Sequence, residues 1–100
     1  MSKKHWVHDY ETLSNCFTGV FEHYKTQETK VFVIHDLRND FNDFVTFLQK
    51  CVTEKEWHIS YNGLAFDAQI THYILDNYFL WKDLKGCDVA EIIYLSLIHI

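Results

Sequence analysis

One hundred residues make at most one domain, and a composition 48% hydrophobic and 17% aromatic with no proline excludes a disordered, collagenous or low-complexity chain. A net charge of −5 argues against a simple basic nucleic-acid coat, although a carboxylate site can still meet a phosphodiester when divalent metals supply the positive charge. No apolar run reaches the ~18 residues of a membrane span, the start MSKKHWVHDYE lacks a signal-peptide core, and Cys16, Cys51 and Cys87, with no CxxC, suit reduced thiols in cytosol.

Weak alternation over HWVHDYETL predicts a first strand at about 5–10. The runs CFTGVFEHY and KVFVIHD are aromatic and β-branched, and the KTQET between them predicts a hairpin with a longer-than-minimal turn. Gly19 inside the first arm marks either a bulge or a close backbone approach. From Asp40 the period changes: Phe41, Phe44, Val45, Leu48, Cys51 and Val52 form one helical apolar face. Asn39 or Asp40 can cap that helix, and Asp40 and Asp43 put negative charge in its first turn. Glu54, Lys55 and Glu56 read as a solvated loop, and WHISY as a short buried strand. After the break at NGL, Phe66, Ile70, Tyr73 and Ile74 predict a helix over about 66–77. Tyr78, Phe79, Leu80 and Trp81 interrupt that pattern and read as core that a missing C-terminal part would cover, exposed and sticky in this fragment. Asp88 with Glu91 resembles a capping box opening a third helix. The order β-β-β-α-β-α-(α) predicts an α/β fold, a mixed sheet with flanking helices.

Two clusters carry chemistry. In Asp9-Tyr10-Glu11-Thr12, residues i and i+2 of a strand share a face with Cα atoms about 6.5–7 Å apart. Two carboxylates at that spacing can reach one divalent metal, or bracket a pair about 3.5–4 Å apart. Hard oxygen ligands suit Mg²⁺ or Mn²⁺. The bland reading is an exposed acidic strand end. The second cluster, Tyr61-Asn62-Gly63-Leu64-Ala65-Phe66-Asp67, lies where a strand ends and a helix begins, the usual ligand crevice of open α/β sheets. Its bland reading is helix capping by Asn62 or Asp67.

Together the clusters resemble the first two motifs of the DEDD-type 3′–5′ exonucleases, which have a ribonuclease H-like fold. Asp9, Glu11 and Thr12 match Asp-x-Glu-(Thr/Ser), and Asn62, Phe66 and Asp67 match Asn-x-x-x-(Phe/Tyr)-Asp. The wording over about residues 5–80 is most similar to the proofreading domain of phage or bacterial family B DNA polymerases. The resemblance implies a two-metal hydrolysis with Mg²⁺ or Mn²⁺, releasing nucleoside monophosphates from a single-stranded DNA 3′ end. Asp9 would touch both ions, Glu11 one, and Asp67 would hold the second directly or through water. Thr12 and Leu13 would line the pocket for the terminal nucleotide, with Asn62 and Phe66 supporting it. It also implies a polymerase domain in the same full-length chain and a cytoplasmic setting, in a bacterium or a phage-infected host.

One departure is marked. The family's third motif, Tyr-x-x-x-Asp or His-x-x-x-x-Asp, has no match: His72 and Asp76 are spaced one short, and Tyr78 to Asp83 is off pattern. Truncation explains this economically, because the motif normally lies well beyond the second. In addition, Leu95-Ser-Leu-Ile-His-Ile100 matches the translation of one reading frame of a transposase adapter used in sequencing libraries. The expected division is therefore 1–94 as a partial exonuclease domain, incomplete at its C-terminus, and 95–100 as an adapter-derived tail. Residues 1–100 alone are expected to turn over substrate near background. The alternatives are a non-catalytic ribonuclease H-like module that binds nucleic acid or organises a polymerase, and a small α/β domain whose motif matches are chance. The remaining histidines and cysteines show no HExxH or nucleophile–base arrangement.

Overall fold

Side chains alternate between buried and accessible along the first three strands, β1 (His5–Leu13), β2 (Cys16–His23) and β3 (Thr29–Ile34). The computed structural model describes residues 5–60 and 65–98, with backbone alone at 57–60, 65–67, 97 and 98. Trp6, His8 and Tyr10 of β1, Phe17, Phe21 and His23 of β2, and Phe32 and Ile34 of β3 are all buried. The period of two gives them one face of the sheet. β1 and β2 are antiparallel, from Trp6 opposite His23 to Leu13 opposite Cys16. The strand thus runs past the expected end at residue 10, because pairing continues to the tight Ser14–Asn15 turn. The expected second hairpin forms between β2 and β3, from Phe17 opposite Ile34 to Glu22 opposite Thr29.

Gly19 lies in continuous register with Tyr10 and Phe32, so there is no bulge. It is a close approach: a Cβ there would sit 3.3 Å from ring carbons of Tyr10. β4 (Trp57–Ser60) runs parallel to β1, from His5 opposite Trp57 to His8 opposite Ser60. The sheet order is β3-β2-β1-β4, so the link from β3 to β4 crosses over β2 and β1.

That link is α1 (Phe41–Thr53), which buries Phe41, Phe44, Val45, Phe47, Leu48 and Cys51. Phe44 stacks on Phe17 and Phe32 at centroid distances of 5.7 and 5.1 Å, and Phe47 packs edge-on to Trp6 at 5.2 Å. Aromatic burial of this kind contributes through area and through the preferred offset and edge-to-face geometries. Val52, expected on the apolar face, is 68% exposed.

Of the two residues expected to cap α1, Asn39 rather than Asp40 bonds the helix start. Asp40 occupies the N-cap position without a side-chain cap bond. Its carboxylate accepts from the Val33 N–H at 3.0 Å and from Arg38 Nε at 2.7 Å, while Asn39 Oδ1 accepts from the Phe41 N–H. Asp40 thereby closes off part of the open edge of β3, a position that otherwise invites pairing with another chain.

α2 (Ala65–Asp76) buries Ile70 and Ile74. The run Tyr78–Trp81 forms a single-turn helix, α3. Trp81 turns inward against Tyr73, at 4.9 Å between centroids. Phe79 and Leu80 are 80% and 73% exposed, in line with the exposure expected of this run in the fragment. The last helix, α4 (Gly86–Ile98), packs against β1, β2 and β3 and spans the boundary drawn at Tyr94. It starts at Gly86, so Asp88 lies in its first turn and the capping box does not form at Asp88. Instead Asp36 Oδ1, from the loop after β3, accepts from the Cys87 N–H at 3.3 Å. The architecture is mixed α/β, with an antiparallel three-strand unit at its centre.

Candidate acid site on β1

The alternation that turns Trp6, His8 and Tyr10 into the aromatic core turns Asp9 and Glu11 away from it. Both carboxylate residues are exposed and share one face of the strand. Asp9 lies opposite Val20 of β2, and Val7 lies opposite Glu22. A shallow cavity of about 240 Å³ is lined by Val7, His8, Asp9, Val20 and Glu22. Glu22 is therefore a third acidic residue of this face, diagonal to Asp9 across the β1–β2 pairing. The sequence reading missed it, because only the pairing register reveals it. The signal available was parity: Val20 and Glu22 keep step along their own strand.

Behind the acids stands His8. It is 4% exposed, with its ring 4.6 Å from that of Tyr10 and 5.4 Å from that of Phe21. Burial lowers its pKa, and the nearby Asp9 carboxylate opposes that shift without cancelling it. An uncharged imidazole therefore backs the site at neutral pH.

Asp67, the acid expected from the second cluster, lies in the first turn of α2, and Phe66 precedes it there. The carboxylate of Asp67, the ring of Phe66 and all of Asn62 fall outside the described residues. β4 and α2, which flank Asn62 in sequence, each meet β1 at one place, the first through backbone and the second through side chains. Ser60, at the end of β4, pairs with His8. Thr71, four residues after Asp67, shares a hydrogen bond with Tyr10 at 2.7 Å between hydroxyl oxygens. The end of β4 and the middle of α2 thus each meet β1.

Of the residues expected to line a nucleotide pocket, Thr12 is half-buried and Leu13 is 61% exposed at the end of β1. Leu13 thus offers an apolar side chain to solvent two residues beyond Glu11. Glu56, expected in a solvated loop, is a structural acceptor instead. Its Oε2 takes the Trp6 indole N–H at 2.8 Å and the Cys51 thiol at 3.2 Å. Burial and that carboxylate push the Cys51 thiol well above its ordinary pKa, so it is no nucleophile. The three cysteines are free thiols.

Among the described residues, no three His, Cys, Asp or Glu side chains gather closely enough to form a complete metal-binding group. Asp9 and Glu11 supply two carboxylates, and any third from Asp67 lies beyond that description. No helix among the described residues is long and apolar enough to cross a membrane. The chain matches no protein-family profile, no curated protein and no solved structure.

Proposed function

We propose that this chain is part of a ribonuclease H-like 3′–5′ exonuclease domain, acting in proofreading on single-stranded DNA 3′ ends beside a polymerase domain of the same protein. The observation that carries the reading is the division of β1. Asp9 and Glu11 lie open on one face, while Tyr10 between them turns to the buried face and hydrogen-bonds Thr71 of the helix whose first turn contains Asp67. The donor set consists of carboxylate oxygens, which fits a hard divalent cation such as Mg²⁺ or Mn²⁺. Asp9, Glu11 and Asp67 would hold two such ions. Bound there, they would supply a nucleophilic hydroxide near neutral pH and offset charge on the departing oxygen.

The chain's own residues do the rest. The carboxylates hold the cations where the acidic face alone would repel a phosphodiester. Leu13 presents an apolar edge to the terminal base, and Thr12 borders it. A frayed, mispaired end reaches such a site at lower cost than a paired one, which is the physical basis of proofreading.

Two measurements test this reading. Substoichiometric Mn²⁺ added to residues 1–100 should broaden the amide signals of Asp9, Glu11 and Asp67 first, and Asp9→Asn with Glu11→Gln should abolish that broadening with the fold intact. A reading frame extended beyond Tyr94 should degrade single-stranded DNA from its 3′ end with Mg²⁺, and lose that activity in Asp9→Ala/Glu11→Ala. Broadening centred elsewhere, or activity indifferent to both acids, would refute the proposal. Metal binding without hydrolysis in the extended protein would leave the non-catalytic nucleic-acid-binding module as the better reading.

A further inference from the structure

We infer that the open half of the β3 edge is a self-pairing surface, where a second copy of this chain adds its own β3 antiparallel in a register centred on Thr29. β3 is an end strand of the sheet, separated by β2 from the acids of β1. The fold-back after β3 covers only part of its free edge. Val33 turns both backbone groups outward: its N–H donates to the Asp40 carboxylate, and its C=O accepts from the Asp40 N–H. The Val31 carbonyl accepts from Arg38 Nη2 at 3.2 Å, and the His35 N–H donates to the Arg38 carbonyl. Alternation along the strand places the Val31 N–H and both backbone groups of Thr29 on this same edge. Among the described residues no hydrogen bond reaches them.

The covered half restricts what can pair there. A strand that needs Val33 or His35 is excluded, so an incoming strand must be centred near Thr29. Glu28 and Lys30 flank Thr29 and are both exposed, and both line a cavity of about 380 Å³ beside α1. Among the described residues neither forms an ion pair. Their opposite charges make the segment self-complementary. When two copies pair antiparallel about Thr29, each Lys30 faces Glu28 of the other copy. Thr29 pairs with itself across a two-fold axis and exchanges two main-chain bonds. Lys30 and Glu28 then occupy the positions where cross-strand side chains approach most closely. A register centred on Val31 would instead set Lys30 against Phe32 and would need the Val33 groups that Asp40 already holds. Because the net charge of −5 opposes the approach of two copies in general, the Lys–Glu pairs decide the register. The two four-stranded sheets become continuous, with both Asp9–Glu11 faces on one side and the two β1 strands about 24 Å apart, from the usual strand spacing.

Sedimentation velocity of residues 1–100 tests the pairing, from micromolar to millimolar protein at low salt. The wild type should show a weak monomer–dimer equilibrium, with exchange protection of the Thr29 and Val31 amides rising with concentration. Glu28→Lys sets lysines against lysines, and Lys30→Glu sets carboxylates against carboxylates. Each variant alone should weaken association about tenfold or more, through loss of two opposite-charge pairs and gain of two like-charge ones. An equimolar mixture of the two variants restores opposite charges across the axis and should associate as the wild type does. Both positions are exposed, and circular dichroism should show an unchanged fold in each.

A wild type that stays monomeric at millimolar concentration overturns the inference. So does a mixture that associates no better than its components, or a pair of single variants that dimerise as the wild type does. Association lost in Phe79→Ser/Leu80→Ser but kept in both charge variants assigns the contact to α3 and overturns it as well.

Discussion

Glu56→Ala should be among the most destabilising surface-adjacent substitutions in the chain. Glu56 precedes β4, and its Oε2 accepts from the indole N–H of Trp6 at 2.8 Å and from the thiol of Cys51 at 3.2 Å. Trp6 is 4% exposed and Cys51 1%, so neither donor gains a full water partner when the carboxylate goes. A hydrogen bond to a charged group is worth about 1.5–3 kcal/mol. The thiol is a weak donor and adds only a few tenths. The expected loss is therefore about 2–3 kcal/mol. For a domain of this size, that lowers Tm by roughly 10–20 °C. Glu56→Gln keeps a neutral acceptor for the indole and should lose only about 1 kcal/mol. Urea unfolding followed by tryptophan fluorescence measures both, with the slope m confirming an unchanged denatured state. A loss below about 0.5 kcal/mol for Glu56→Ala, the range of ordinary surface substitutions, or equal losses for Ala and Gln, would refute the reasoning.

Gly86→Ala should cost about 1–3 kcal/mol through overpacking. Its Cβ would collide with the backbone of His35, which has no flexible end to move aside. Loss of hydrogen-exchange protection confined to α4 and the end of β3 would show the collision; a wild-type Tm would contradict it. Asp40→Ala should cost about 1–2 kcal/mol by leaving the Val33 N–H without its acceptor. Freeing the β3 edge should also raise self-association in sedimentation velocity, and a stable, strictly unchanged sedimentation profile would count against that account. Burial lowers the pKa of His8, so above the unfolded value of 6.5 both states hold it neutral and its burial carries no proton penalty. As pH falls below 6.5 the unfolded chain takes up the proton first, and stability drops through the lower folded pKa. His8→Phe should flatten the fall in Tm between neutral and mildly acid pH, and an identical slope in the variant would exclude His8 as its source.

The elements with a clear period were legible from residue types: three strands, α1, β4, α2 and the last helix fall close to their expected places. What escaped was non-local. Four residues of α3 make one turn, too short for a helical period to register. Asp40 carries a good capping side chain, but Val33 and Arg38 compete for its carboxylate, and neither competitor is visible without the β3 fold-back. Glu56 looked solvated because its neighbours in sequence are charged, while its true partner, Trp6, is fifty positions away. Asp36 capping α4 has the same character. On β1, the shared face of Asp9 and Glu11 followed from spacing alone, whereas Glu22 required the pairing register of β1 with β2 and Thr71 the packing of α2 on Tyr10.

The parity of β1 ties that site to the stability of the fold. Trp6, His8 and Tyr10 can face the Phe44–Phe47 side of α1 only if Asp9 and Glu11 face away from it. A slip of one residue against β2 would bury both carboxylates and expose three aromatic rings, so the aromatic core enforces the acidic face. The cost falls on the other side of the strand. Three acidic residues, Asp9, Glu11 and Glu22, share an open surface of a chain already at −5, where like charges oppose one another unless a cation intervenes. Neutralising that repulsion without a metal should stabilise the protein. Glu11→Gln should raise Tm in metal-free buffer at low ionic strength, and the gain should shrink as salt screens the face. In Mn²⁺ the order should reverse, with the wild type gaining stability from bound cation and the variant gaining less. A variant no more stable than wild type without metal, and equally stabilised with it, would mean that Glu11 is simply a solvated strand end.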